Sequence, residues 1–154
     1  MRRAEVASLD LANYKAETGC LIVKGKRSRQ RAVYLASGAI EAMADWLTMR
    51  GRAGGPLFVR LLWRKISKDR MTPQAIYNLL AKRAEQAAVK AFSPHDLRRT
   101  FVRNLLGAGA DIATVAKMAG HARVQTTARY DRRPEEVKRT AANLLIVPYH
   151  RRRK

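Results

Sequence analysis

Ser93-Pro-His-Asp-Leu-Arg-Arg-Thr-Phe101 is the stretch from which the rest of the chain can be read. Ser93 followed by Pro94 has the form of an N-cap and a first helical residue. Asp96, three places after Ser93, completes a capping-box pattern with Asp in place of Glu. The helix predicted there continues through Phe101, Val102 and Leu105 to Gly107. It sets His95 and Arg98 at i and i+3, on one face. Both fall in the first turn, where free backbone N–H groups and the helix dipole favour an anion. Downstream, Asp111 caps a further helix that ends at Gly120, so His121 leaves at a helix exit and can project into a cleft. A short helix is then expected to carry Tyr130. Two histidines, an arginine and a tyrosine are thus spaced to surround one phosphate. Taken singly, each has a plain explanation: a solvated helix-surface pair, a structural hydrogen-bonder, a packed aromatic.

Charge gives the second strong indication. The chain has 154 residues, with 32 Lys+Arg against 12 Asp+Glu and a formal net charge of +20. A folded domain with that much self-repulsion is matched to a polyanion, and nucleic acid is the first choice. Arg outnumbers Lys 22 to 10, which favours bidentate phosphate contacts. Hydrophobic content of 47% supports one folded domain and argues against low-complexity disorder. Cys20 is the single cysteine, which excludes an internal disulfide and a thiolate metal cluster. No apolar run reaches membrane-spanning length and the first residues do not form a signal peptide, which points to a cytoplasmic, nucleoid-associated protein.

The remaining sequence predicts a mainly helical α+β domain with one small antiparallel sheet. Residues 3–11 read as a short helix with Val6 and Leu9 on one face. Cys20–Lys24 and Ala32–Leu35 read as hairpin strands around the basic turn Gly25-Lys-Arg-Ser-Arg-Gln-Arg31. Ser37 is expected to cap a helix burying Ile40, Met43, Ala44 and Leu47, and Leu57–Leu62 to form a third strand. Thr72-Pro73 opens a helix to about Val89 with Ile76, Leu79, Leu80 and Ala87 inward. Lys82 and Arg83 on it are available for phosphates, as are Arg27, Arg29 and Arg99. After Pro134 an amphipathic helix carries Val137, Ala141, Leu144 and Leu145. Residues 1–149 form the domain, and the basic tail 150–154 is expected to be mobile.

Three linked words, Ser93-Pro-His-Asp-Leu-Arg-Arg-Thr-Phe101, Val115-Ala-Lys-Met-Ala-Gly-His121 and Thr126-Thr-Ala-Arg-Tyr130, resemble in order the carboxy-terminal signature of the tyrosine recombinases, the phage-integrase and Xer-type family. The family pattern also has an earlier arginine in a Gly-Leu-Arg-x-x-Glu-Leu-like helix and a lysine in a hairpin turn. Arg2-Arg-Ala-Glu5-Val6 resembles the first and makes Arg2 its counterpart. Val23-Lys-Gly-Lys-Arg27 resembles the second and makes Lys26 the counterpart, with Lys24 as competitor and an ordinary basic turn as the plain alternative.

The resemblance implies a catalytic-domain fold that cuts and rejoins double-stranded DNA. Tyr130 would attack the scissile phosphate to give a 3′-phosphotyrosine and a free 5′-hydroxyl. Tyrosine, with a pKa of about 10, needs cationic neighbours or a base for that role. Arg2 and Arg98 would hold the non-bridging oxygens, and His121 would hydrogen-bond the same phosphate. His95 would act as acid–base or positioning group, and Lys26 would protonate the departing oxygen. No metal or other cofactor is implied. Relatives carry further helices and a DNA-clamping domain ahead of the first arginine, so the chain is expected to be truncated at its N-terminus. They also dock a carboxy-terminal helix on a neighbouring protomer, which implies a tetramer on DNA through the region of Val137, Leu144 and Leu145. Two rival readings are a type IB topoisomerase and a DNA-binding remnant that does not cleave.

Overall fold

The computed structural model describes residues 1–25, 29–62 and 65–131, together with Val137, Arg139 and Ala142. Lys26, Arg27, Leu144, Leu145 and the tail 150–154 lie outside the described residues.

The chain opens with helix α1 (Arg3–Ala7) and a 3-10 turn (Leu11–Asn13), in place of one helix over 3–11. The Ser8 hydroxyl donates to the Glu5 carbonyl at the helix end, and Leu9 turns inward to be fully buried. Strands β1 (Tyr14–Lys15), β2 (Cys20–Lys24) and β3 (Gln30–Tyr34) follow as an antiparallel sheet in that order. Leu21 pairs with Val33 and Val23 with Arg31, so alternate side chains face one side. Leu21, Val23 and Val33 on that side join Leu9, Met43 and Leu57 in the first core cluster.

Helix α2 (Gly38–Arg50) lies on this cluster. Met43 is its buried residue, with Trp46 and Leu47 packed beside it, while Ile40 and Ala44 remain exposed. The buried face is therefore rotated toward Trp46, whose Nε1 donates to the Leu57 carbonyl at 2.9 Å. Ser37 stands at the N-cap position without a side-chain capping bond.

A second antiparallel sheet, strands β4 (Val59–Leu62) and β5 (Lys65–Arg70), corrects the expectation of one sheet. Backbone bonds from Leu57 to Leu9 and from Leu11 to Gly55 hold its base to the first core. The Arg70 guanidinium ties it further to the Ala7 and Leu9 carbonyls and to Asp10.

Helix α3 (Pro73–Gln86) is capped by Thr72, whose hydroxyl accepts from the Ala75 N–H. It stops short of Val89 because Ala88 takes φ +51° and the Val89 N–H turns back to the Ala84 carbonyl. Ala84 is buried, whereas Leu79 and Ala87 face outward. Helix α4 (Pro94–Gly107) has the reciprocal cap expected of it: Ser93 Oγ accepts from the Asp96 N–H, and Asp96 Oδ2 accepts from the Ser93 N–H at 3.0 Å. Helix α5 (Ile112–Ala119), capped by Asp111, packs on α4 through Val102, Leu106, Val115 and Ala119. Helix α6 (Val124–Ala128) closes the described part, and Tyr130 stands in the turn after it, not on it. No described helix is long and apolar enough to cross a membrane.

Candidate active site

Two cores frame one cleft. From the α4–α5 side come Arg98, His95, His121 and Tyr130; from the α1 and sheet side comes Arg2. Arg2, Arg3, Tyr77, Ser93, Pro94, His95 and Arg98 line one hollow of about 340 Å³ with Met1. A second, of about 490 Å³, is lined by Arg2, Arg29, Arg31, Lys117 and His121 among others. Arg2 belongs to both, so the hollows are the two ends of one basic trough.

Arg98 is half-buried, and its Nη1 is fully enclosed without a hydrogen-bond partner among the described residues. Burial, and then the charge of Arg2, pull its pKa below the usual arginine range. A guanidinium nitrogen kept dry beside a second guanidinium is the arrangement an anion would relieve. Arg98 is reached from the first turn of α4, whose start the Ser93–Asp96 cap fixes. His95 stands on the same turn, exposed at the mouth.

The turn that delivers His121 is a Schellman motif: the His121 N–H returns to the Ala116 carbonyl and the Gly120 N–H to that of Lys117. Gly120 adopts φ +67°, as that turn requires. His121 Nδ1 lies 2.8 Å from Oγ1 of Thr127, which is completely buried. Burial, and then the positive charges of Arg98 and Arg2, push the imidazole pKa down. Both influences favour the neutral ring over the imidazolium. The Tyr130 ring packs on the second core at 6.4 Å from the His121 ring, and Arg99 Cζ stands 5.9 Å from the Tyr130 centroid.

Arg2 is aimed by a residue whose part was not assigned from sequence. Glu5, 6% exposed, accepts from Arg2 Nη1 at 2.8 Å and from the Arg2 backbone N–H at 2.7 Å. Arg2 Nη2 donates on to the Gly120 carbonyl, across the cleft, at 3.2 Å. Burial works against the Glu5 charge, but the hydrogen bonds from Arg31 and Arg2 outweigh it and lower its pKa to about 2.

The structure therefore brings Arg2, His95, Arg98 and His121 to one trough, while Tyr130 lines neither hollow and stands beside the His121 ring. Arg29 is exposed and lines its sheet end, and Arg99 borders Tyr130. Lys82 and Arg83 lie on the exposed face of α3 and line neither hollow. Glu5, Arg31, Lys117 and Thr127 were not anticipated. Glu5 had a signal, an acid at the third helical position after Arg2. The others become neighbours only through long-range packing or, for Thr127, through the direction of a turn.

The chain matches the model of the phage integrase family over residues 1–136, and it belongs to that family. Among curated relatives, the tyrosine recombinase XerC of Pelotomaculum thermopropionicum is 33% identical over 139 residues, covering 84% of this chain and 44% of the relative. Tyrosine recombinase XerD of Mycobacterium tuberculosis is 31% identical over 137 residues, covering 84% and 42%. The chain thus spans less than half the length of these relatives. The crystal structure of the XerA recombinase is similar with a TM-score of 0.75 at 24% identity, covering 96% of this chain and 54% of that one. XerH site-specific recombinase, solved on its difH substrate in a post-cleavage complex, gives 0.67 at 24% identity over 91% of this chain and 40% of that one. These likenesses establish the α+β recombinase catalytic-domain fold.

Proposed function

We propose that this chain is the catalytic part of a site-specific DNA recombinase that cuts and rejoins double-stranded DNA through a 3′-phosphotyrosine. The observation that carries the reading is the buried Nη1 of Arg98, which has no hydrogen-bond partner among the described residues and lies in a hollow that Arg2 also lines. A scissile phosphate seated there would receive Arg98 and Arg2 on its non-bridging oxygens. Fixed cations placed where charge grows in the transition state lower the barrier.

A neutral His121 has one ring nitrogen that accepts and one that donates. If the Thr127 hydroxyl donates to Nδ1, the ring proton sits on Nε2 and can be offered to the phosphate. Tyr130 Oη attacks phosphorus, the bond to the 5′-oxygen breaks, and the tyrosine proton leaves to a base; His95 would serve as that base or as a positioning group. Lys26, the expected donor to the 5′-oxygen, lies outside the described residues. The phosphotyrosine retains the phosphodiester energy, so attack by another 5′-hydroxyl rejoins the strand without nucleotide hydrolysis.

Charge supports the DNA partner, since +20 on 154 residues favours association with a polyanion. Assembly as a tetramer through the segment around Val137, Leu144 and Leu145, and work at the nucleoid in the cytoplasm, complete the proposal.

The test is a pool of nicked suicide duplexes with random sequence around the nick, incubated with the full chain and separated under denaturing conditions. A covalent protein–DNA adduct is expected, and it is absent with Tyr130→Phe. Salt-sensitive binding with no adduct from any duplex would identify a non-cleaving DNA-binding remnant. Relaxation of supercoiled DNA without strand exchange would identify a topoisomerase.

A further inference from the structure

Three arginines and one carboxylate meet behind the phosphate position, and their connections are unequal. Arg31, on β3, donates from Nη2 to Glu5 Oε2 at 2.7 Å and from Nη1 to Glu5 Oε1 at 3.2 Å. Its Nε donates to the Met118 carbonyl in the last turn of α5 at 3.2 Å. Its Cζ stands only 2.7 Å from where a Cβ on Gly120 would be. Arg31 is thus tied at once to α1 through Glu5 and to the turn that carries His121.

Glu5 is the one acidic group in this set. Both its oxygens are occupied, by Arg31 and by the side chain and backbone N–H of Arg2. Its charge nevertheless reaches Arg98, where it opposes the lowering of the pKa. If Arg31 were absent, the buried carboxylate would keep only Arg2 as its cation, and Arg98, the unpartnered one, would be the next to satisfy it. Each step of Glu5 toward Arg98 removes positive charge from the place an anion would take, and in a partly dry site that loss is large.

We infer that Arg31 is a positioning residue for the phosphate clamp: it occupies Glu5, so that this carboxylate aims Arg2 but leaves Arg98 open, and it seats the Gly120 turn that presents His121. The inference rests on reading the site as a clamp for phosphate. Arg31 itself is not required to touch the substrate. Its side chain is 14% exposed, and three of its five N–H donors go to Glu5 and Met118.

The test uses the full chain and inorganic phosphate, titrated while the His121 ring resonances are followed by NMR. Arg31→Met is expected to weaken phosphate about tenfold, the size of one lost charge-assisted hydrogen bond. Glu5→Gln combined with Arg31→Met is expected to recover most of that affinity, because the competing carboxylate has lost its charge. A role confined to bracing the fold predicts the reverse: the double variant lacks two struts and binds no better than the single one. That result, or unchanged affinity in Arg31→Met, overturns the inference. Should Arg31→Met fail to fold in a melting experiment, Arg31→Lys with and without Glu5→Gln makes the same comparison, since Lys restores one donor but not the fork.

Adduct formation on the suicide duplexes separates this inference from the proposed reaction. The phosphate pattern without any wild-type adduct leaves the inference standing and removes the cleavage reading. Equal adduct from wild type and Arg31→Met removes the inference alone. A wild-type chain that binds no phosphate removes the inference, and the adduct assay alone then decides the cleavage reading.

Discussion

His121 Nδ1 and Thr127 Oγ1 lie 2.8 Å apart, one at the exit of α5 and the other inside α6. The threonine is fully buried, so its hydroxyl has a fixed place and fixes the imidazole in turn. Thr127→Val keeps the shape and removes the hydroxyl. It is expected to slow single-turnover adduct formation at least tenfold, since the imidazole then loses the hydrogen bond that orients it. Thr127→Ser should retain most of the rate. Melting of both variants checks that the loss is not unfolding, with about 1 kcal/mol expected for the missing hydrogen bond.

Acid should weaken the fold in two separable steps. His121 has a folded-state pKa lowered by burial and nearby cations, so the unfolded chain holds more protons below the ordinary value of 6.5. Stability therefore rises as pH rises through the folded pKa toward 6.5, and falls on going down. Glu5 shifts from 4.5 to about 2, so its contribution is whole above 4.5 and is lost as pH falls through that window. The shift corresponds to at most about 3 kcal/mol. Urea unfolding at a series of pH values should show Glu5→Gln reducing the lower step, to which the depressed Asp96 and Asp111 also contribute, and His121→Asn reducing the upper one.

Arg98→Met should separate stability from activity. Removing an enclosed, unpaired guanidinium nitrogen relieves a desolvation penalty, so the variant is expected to melt no lower than wild type and to gain about 1 kcal/mol. Adduct formation should fall by about two orders of magnitude or more. A marked loss of stability would show that Arg98 holds the fold together and is not held in reserve for an anion.

Gly120→Ala puts a methyl 2.7 Å from Arg31 Cζ and an L side chain at φ +67°. The guanidinium cannot swing away cheaply, because Glu5 and Met118 hold it. A loss of about 1–3 kcal/mol in urea unfolding is expected. Gly107→Ala, at the end of α4 with open space around it, is the matched control and should be neutral or stabilising by up to about 1 kcal/mol.

What could be read from sequence divides along a physical line. Ser93, Asp96, Asp111 and Gly120 announce helix ends by local chemistry, and those ends stand where their residues predict. The second sheet was hidden because β5, Lys-Ile-Ser-Lys-Asp-Arg, is polar and exposed and shows little alternation. The end of α3 was missed because Ala88 takes a left-handed conformation without a glycine to mark it. Tyr130 was expected on a helix and stands just beyond one, a shift of two residues within the ordinary looseness of helix ends. His95, Arg98, His121 and Tyr130 could be listed together because a signature links them. Arg31 and Thr127 could not, since their partners lie far off in the chain or depend on the path of a turn.

The division into two cores has a consequence for the life of the chain before it is fully folded. Neither core holds a whole clamp: Arg2 and its brace belong to the sheet side, whereas Arg98, His121 and Tyr130 belong to the α4–α5 side. The two meet at a polar seam through Arg31 to Met118 and Arg2 to the Gly120 carbonyl. A chain with only one core consolidated can attract DNA by its charge, yet it lacks the opposite half of the blade. Joining the seam is then what completes the proposed clamp, because only there do Arg2 and its brace face Arg98 and His121.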